Sequence, residues 1–378
     1  MKKRKKNKKK IYLRIVVGIL STIFVLVMIV GLAGVIFYKS GEAALRASAE
    51  TKAPAMETDP QEVERMRESY AYGNTIPWQD EWVVYKDGVY EYNEDILNFL
   101  LMGIDNGGEL DKNTDLSDWE AGQADTIFLI SINPHSNAVS VIGIPRNAMV
   151  ELDIYDEKEL RIDTIYNQIC LQYGYAGGGE LGLTTMKECV SELFYGLPIH
   201  GACAINFDAV GIAIDMIGGV RVTIPDDMTS VDKSYAEGSS LLLTKDNVMP
   251  YLRYRDTSTL GSPTTRLTRQ KEFLREAISQ TISKVKQNPR LVGDLYQAVS
   301  PYMNTDITLD EAVYLAAEFV NYRIGADSFY QLTGEDKQVD YVSESGKAGS
   351  YDDLYLYEDD KRELVIQLFY EEVVLQAN

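Results

Sequence analysis

In this chain of 378 residues the side chains that could do chemistry are acids and arginines, because the familiar nucleophile and metal signatures are missing. There is no G-x-S-x-G, no H-E-x-x-H and no Walker loop; Gly177-Gly178-Gly179 lacks the Lys-Ser/Thr of a phosphate loop. His135 and His200 stand far apart in sequence and are expected to be structural or surface residues. Cys170, Cys189 and Cys203 make an odd count without C-x-x-C spacing, so neither a zinc site nor a disulfide framework follows. One bridge or buried free thiols both fit. What remains is Asp105, Asp125 and Arg146 at the ends of apolar runs, then Arg253 and Arg255, then Arg266, Arg269 and Gln270.

These residues meet only if the runs between them fold in particular ways. Thr126–Ile132 and Val139–Ile144 flank the Asn133-Pro134 turn and read as an antiparallel hairpin, which puts Asp125 and Arg146 at one end of a sheet. If Ile96–Ile104 runs parallel to the second strand, Asp105 arrives there too. Two neighbouring carboxylates repel unless a guanidinium or a divalent cation lies between them. Leu252-Arg253-Tyr254-Arg255 reads as a strand with both arginines on one face. Ser262-Pro263 supplies an N-cap and a first-turn proline for a helix reaching about Lys286. On that helix Arg266, Arg269 and Gln270 share one face near the N-terminus. Guanidinium forks and helix N-termini both suit phosphate oxygens.

The strands are almost continuously apolar, which predicts a sheet covered by helices on both faces. Phe207, Val210, Ile214 and Ile217 mark a helix ended by Gly218-Gly219, and Val220, Val222 and Ile224 a strand after it. Trp82–Tyr85 and Val89–Tyr92 read as a hairpin turning at Asp87-Gly88. Thr308, with Glu311 three residues on, caps a helix to about Asn321, and an amphipathic helix is expected near Asp359–Leu375.

Nine of the first fourteen residues are Lys or Arg, and Ile15–Phe37 carries no charge over 23 residues. At 1.5 Å per residue that run crosses a hydrocarbon core of roughly 30 Å. It exceeds the usual apolar length of a cleaved signal, so a retained single anchor with a cytoplasmic N-terminus is expected. The basic tail serves orientation and anionic lipid contact rather than nucleic acid. Residues 15–378 hold 28 basic and 57 acidic side chains, a net of −29, which argues against general binding to nucleic acid or to an anionic bilayer. The expected layout is a tail over 1–14, a membrane helix over 15–38, a stalk over 39–95, a catalytic domain over 96–286 and a C-terminal helical extension over 287–378.

Asn98-Phe99-Leu100-Leu101-Met102-Gly103-Ile104-Asp105, Ala124-Asp125-Thr126, Ile144-Pro145-Arg146, Arg253-x-Arg255 and Arg266-x-x-Arg269-Gln270 resemble the ordered motifs of the LytR-CpsA-Psr family. That resemblance implies an α/β domain whose largely antiparallel sheet lies between helical layers, with an apolar tunnel for a polyprenyl lipid. It further implies arginines and a divalent cation, usually Mg2+, at the tunnel mouth. The implied reaction transfers a phospho-glycopolymer from undecaprenyl pyrophosphate to a peptidoglycan sugar hydroxyl, outside the cell membrane. By position, Asp105 and Asp125 are implied as cation or acid-base carboxylates, with Arg146 beside them in the catalytic set. Arg161, Arg253, Arg255, Arg266, Arg269 and Gln270 are implied as phosphate-binding.

Four positions depart from the family pattern. Gln123 stands for a usual Arg, Asn147 for Asp, Asn106-Gly107 for an Arg and Pro263 for Asp. The core acids and most arginines survive, so an active, divergent member is expected. The alternative is a weakened relative that captures polyprenyl phosphates or scaffolds wall synthesis. Fourteen cytoplasmic residues are too few for a helix-turn-helix reader, which argues against transcriptional control.

Overall fold

The computed structural model describes residues 38–49, 52–71, 77–108, 110, 121–254, 262–319, 322, 324–342 and 348–373. The expected anchor, the acidic stretch 111–120 and Arg255 lie outside them. Among the described residues no helix is long and apolar enough to cross a membrane.

Helix α1 (38–47) and α2 (Pro60–Ala71) precede a hairpin of β1 (Val83–Tyr85) and β2 (Gly88–Tyr92). Its turn is Lys86-Asp87, one residue earlier than the sequence suggests; both have positive φ, 46° and 63°, as a two-residue turn of this hand requires. A meander follows: β3 (Leu97–Ile104), β4 (Ala124–Asn133) and β5 (Ala138–Ile144). A second hairpin, β6 (Met149–Tyr155) and β7 (Arg161–Gln168), leads through α3 (Gln172–Tyr175) to α4 (Gly179–Leu193) and β8 (Gly201–Ile205). Helix α5 (Phe207–Ile217) is capped by Asn206, whose side chain accepts from Asp208 N and Ala209 N. It stops at Gly218, φ 81°, a left-handed residue that costs glycine nothing. Next come β9 (Val220–Thr223), β10 (Ser240–Leu243), α6 (Val248–Arg253), α7 (Ser262–Gln287) and α8 (Leu291–Val299). The chain closes with β11 (Met303–Thr305), α9 (Leu309–Phe319), β12 (Phe329–Gln331), β13 (Gly334–Val342), β14 (Ala348–Leu356), α10 (Glu358–Phe369) and β15 (Tyr370–Glu372).

The central sheet has six strands in the order β11-β8-β3-β4-β5-β12. It is mixed: β3 with β4, β4 with β5 and β8 with β11 are antiparallel, whereas β3 with β8 and β5 with β12 are parallel. One face carries Leu100, Met102, Ile127, Leu129, Ile142 and Ile144 against α4 and α10. The other carries Phe99, Phe128, Ile132 and Val141 against Leu267 of α7, Tyr314 of α9 and Leu45 of α1. Burial on both faces explains the unbroken apolar runs, and each such side chain contributes about 1.5–3 kcal/mol.

Two expected boundaries differ. Segment 39–95 is packed rather than stalk-like: Tyr70, Trp78 and Trp82 join α2 to the first hairpin with ring centroids 5.1–5.7 Å apart. Segment 287–378 is not purely helical, since β11 and β12 form both edges of the central sheet and β15 pairs with β2. These strands have three residues each, too few to show an alternation.

Candidate active site

Asp105, Asp125 and Arg146 come together because β3 and β5 run the same way on either side of β4. Ile104 pairs with Ala124 and Ile144 with Ile127, so two strands end where the third begins. The turn before β4 is tight. Gly122 has φ 81°, and a Cβ there would lie 2.8 Å from Ile104 Cγ2 and 3.2 Å from Asp105 Oδ1. Gln123 then donates its N–H to Asp105 Oδ1 at 2.6 Å, and its carbonyl accepts from Asp105 N at 3.1 Å and Asp125 N at 3.0 Å.

Asp125 faces two guanidinium groups. Its Oδ1 lies 3.1 Å from Arg146 Nε, and its Oδ2 accepts from Arg266 Nη1 at 3.1 Å. Arg266 is only 6% exposed, and that carboxylate is a counter-charge for it. Arg146 Nη2 donates to Gln123 Oε1 and, at 3.0 Å, to Cys170 Sγ. Burial works against the Arg146 charge, but Cys170, Asp125 and Asp105 outweigh it and hold its pKa above the ordinary arginine value. Burial pushes the Cys170 thiol up, against the pull of Arg146, so it stays protonated at neutral pH. All three cysteines are free.

The remaining arginines are sorted by the helices. Leu252–Arg253 belongs to α6 rather than to a strand, because Val248 and Tyr251 bury at helical spacing. Arg253 therefore leaves the helix end and stacks over Phe207, 4.6 Å from its ring centroid. Arg269 is 2% exposed; it donates to Asp226 Oδ2 at 2.5 Å and to the Tyr254 carbonyl. That fastens α7 to the end of α6 and keeps Arg269 off the cavity wall, contrary to its expected phosphate role. Gln270, one residue on, does line the cavity and donates weakly to Leu252 O at 3.5 Å. Arg161 stands apart. It pairs with Asp153 at 3.2 Å at the far end of the eight-residue β7. At ~3.3 Å per residue that is roughly 20 Å from Gln168.

Between the sheet and α5, α6 and α7 lies a narrow cavity of about 100 Å3. Its walls are apolar, with Leu101, Phe128, Val210, Met249, Phe273 and Leu274, and its polar end holds Asp125, Arg253, Arg266 and Gln270. The first part of an apolar chain that bears an anionic head matches that division.

Among the described residues no group of three or more His, Cys, Asp or Glu side chains is placed to hold a metal. Asp125 Oδ1 is buried and is ion-paired to Arg146 Nε without hydrogen-bond geometry, and Asp105 is exposed beside it. Mg2+ commonly takes one or two carboxylates and completes its shell with substrate phosphates and water. The pair Asp105 and Asp125 fits that mode once phosphate is present.

Sequence reasoning missed how Gln123 ties both carboxylates and Arg146, because backbone hydrogen bonds dominate its role. It also missed Cys170, which β7 and α3 deliver, and Asp226, whose partner is set only by the packing of α7.

The sequence profile of the LytR_cpsA_psr family matches residues 48–353. The chain belongs to the LytR-CpsA-Psr family. A polyisoprenyl-teichoic acid–peptidoglycan teichoic acid transferase TagU of Halalkalibacterium halodurans is 26% identical over 256 residues, 66% of this chain and 73% of that relative. TagU of Bacillus mycoides is 24% identical over 60% of this chain and 65% of its own length, a little under two thirds. The structure of TagT bound to LI-WTA superposes with a TM-score of 0.51 at 20% identity, over 72% of this chain and 89% of TagT, which shows the shared fold.

Proposed function

We propose that this family member transfers a phospho-glycopolymer from a polyprenyl pyrophosphate carrier to a sugar hydroxyl of peptidoglycan. The observation that carries this reading is the apolar cavity ending in Asp125, Arg253, Arg266 and Gln270. The names of the TagU relatives, and the LI-WTA in the TagT structure, support the same substrate class.

In the proposed reaction the first part of the isoprenoid lies along Leu101, Phe128, Phe273 and Leu274, and the pyrophosphate meets Arg146, Arg253 and Arg266. Neutralising the transferring group and aligning the acceptor are the main demands of phosphoryl transfer. The acceptor oxygen bonds to the distal phosphorus as the phosphoanhydride P–O bond breaks, and the carrier leaves as polyprenyl monophosphate. Asp125 is occupied by two guanidinium groups, so the exposed Asp105 accepts the hydroxyl proton. A divalent cation such as Mg2+, held by Asp105 and Asp125, would add charge neutralisation on the phosphates. The uncharged run Ile15–Phe37 supports a membrane anchor beside the lipid-linked donor, with the folded domain on the outer face.

The test uses the full-length chain in detergent with a labelled lipid-linked donor and a peptidoglycan oligomer. Arg266→Ala and Asp105→Ala should each lower the transfer rate by about 100-fold or more. Unchanged rates in both would defeat the assignment. Donor binding without turnover in the unaltered protein would favour the capture role instead.

A further inference from the structure

Behind Arg146, away from the apolar cavity, a second hollow of about 310 Å3 is lined by Gln123, Arg146, Asn147, Asn167, Gln168 and Tyr351, with Asp352 and Leu171 beside them. Two features set it apart from a surface dent. Its wall is fixed: Gln168 Nε2 donates to Asp352 O at 3.1 Å and Asp353 Oδ1 at 2.8 Å, and Leu354 N donates to Asn147 O at 2.9 Å. It also holds an unanswered acceptor. Asn147 is 2% exposed and its Oδ1 receives no hydrogen bond. The orientation of that amide is set by its other end, since Nδ2 donates to Asp352 O at 3.1 Å and towards Asp336 Oδ1 at 3.4 Å.

The lining says what would answer Asn147. Four of its side chains are amides, which offer donors and acceptors without net charge. Its one guanidinium, Arg146, pairs with Asp125 and serves the phosphate side in the reading above, and Asp352 opposes a further anion in the hollow itself. Polar and apolar surface share this wall about equally, as the hydroxyls and C–H faces of a sugar do. Tyr351, 39% exposed, presents a ring at the rim. Hydroxyl and N-acetyl groups with a flat ring to stack on are the chemistry of a neutral sugar.

We propose that this hollow, closed on one side by the β13–β14 hairpin, binds the neutral sugar ring next to the phosphate being transferred. This rests on the transferase reading above, and the sugar can come from the donor polymer or from the peptidoglycan acceptor. In either case the hairpin is a specificity element, and Asn147 and Tyr351 position the sugar without touching the reacting phosphorus.

Saturation-transfer NMR on the full-length chain in detergent tests it, with the peptide-free peptidoglycan disaccharide and N-acetylglucosamine 1-phosphate as the two probes. At least one probe should bind, and Tyr351→Ala, at an exposed position that leaves the fold intact, should weaken it at least fivefold. Asn147→Leu should act in the same direction. In the transfer assay the KM of one substrate should rise by the same factor while kcat changes little: the acceptor if the disaccharide responds, the donor if the sugar phosphate does. If transfer proceeds but Tyr351→Ala and Gln168→Ala change neither probe binding nor either KM, the sugar site is refuted and the transferase reading stands. If a probe binds and Tyr351→Ala weakens it while no transfer occurs, the sugar site stands and the transferase reading falls.

Discussion

Asp125 shares its two oxygens between Arg146 and Arg266, and both arginines are largely buried. Removing the carboxylate takes the shared counter-charge from two buried guanidinium groups, which is far more harmful than losing a surface ion pair. Asp125→Ala is expected to lower the unfolding free energy by about 3 kcal/mol in urea titrations. Adding Arg266→Met should recover much of that loss, because the buried charge goes too. Asn147 makes the opposite point about a departure from the family pattern. Asp336, brought by β13, lies 3.4 Å from Asn147 Nδ2, and burial already raises its pKa. A carboxylate at 147 would face Asp336 and the Asp352 carbonyl with no proton to offer. Asn147→Asp should therefore lower stability by about 1–3 kcal/mol at neutral pH, with faster hydrogen exchange at Leu354 N. The expected capping pair is present as well: Glu311 Oε2 accepts from Thr308 N at 2.6 Å.

At the level of elements, β8 is locked to β3 by His200, whose Nδ1 accepts from Asn98 N at 3.0 Å while the His200 backbone N–H donates to Asn98 O at 2.7 Å. Burial, helped by Arg46, holds the imidazole down at about 4 against an ordinary 6.5. Between those values the unfolded chain takes up a proton that the folded chain resists. Stability is therefore full above pH 6.5 and falls towards pH 4, by up to about 3 kcal/mol from this one group. His200→Gln keeps an acceptor for Asn98 and should flatten that part of the stability–pH curve, as denaturant midpoints between pH 4 and 7 would reveal. The meander that gathers Asp105, Asp125 and Arg146 was legible in sequence because apolar runs and one Asn-Pro turn fix its order and direction. The Arg253 segment was misread as a strand, since alternation over four residues cannot distinguish a strand from the last turn of a helix. The β6–β7 hairpin was unseen: β7 is mostly exposed, so it has no apolar face for a pattern to show.

The whole molecule is closed by its C-terminal quarter. Val365, Ile366 and Phe369 of α10 enter the same core as Leu100 and Leu129, and β15 pairs with β2 of the first hairpin. Each buried side chain contributes about 2 kcal/mol, so a chain cut after Leu356 should accumulate in the insoluble fraction on expression. That interdependence hid from the sequence, where 39–95 and 287–378 read as appendages flanking a domain. Closure also fixes the division on which the functional reading depends: an apolar cavity under α7, an arginine-carboxylate end, and a polar hollow beyond Arg146. Mass spectrometry of lipid extracted from the full-length protein, made in a host that synthesises polyprenyl phosphates, tests that division most directly. A polyprenyl phosphate or pyrophosphate should be recovered from the unaltered chain and be largely absent from Arg266→Ala and from a cavity-filling Val210→Trp. Recovery of no such lipid, or equal amounts from all three proteins, would contradict it.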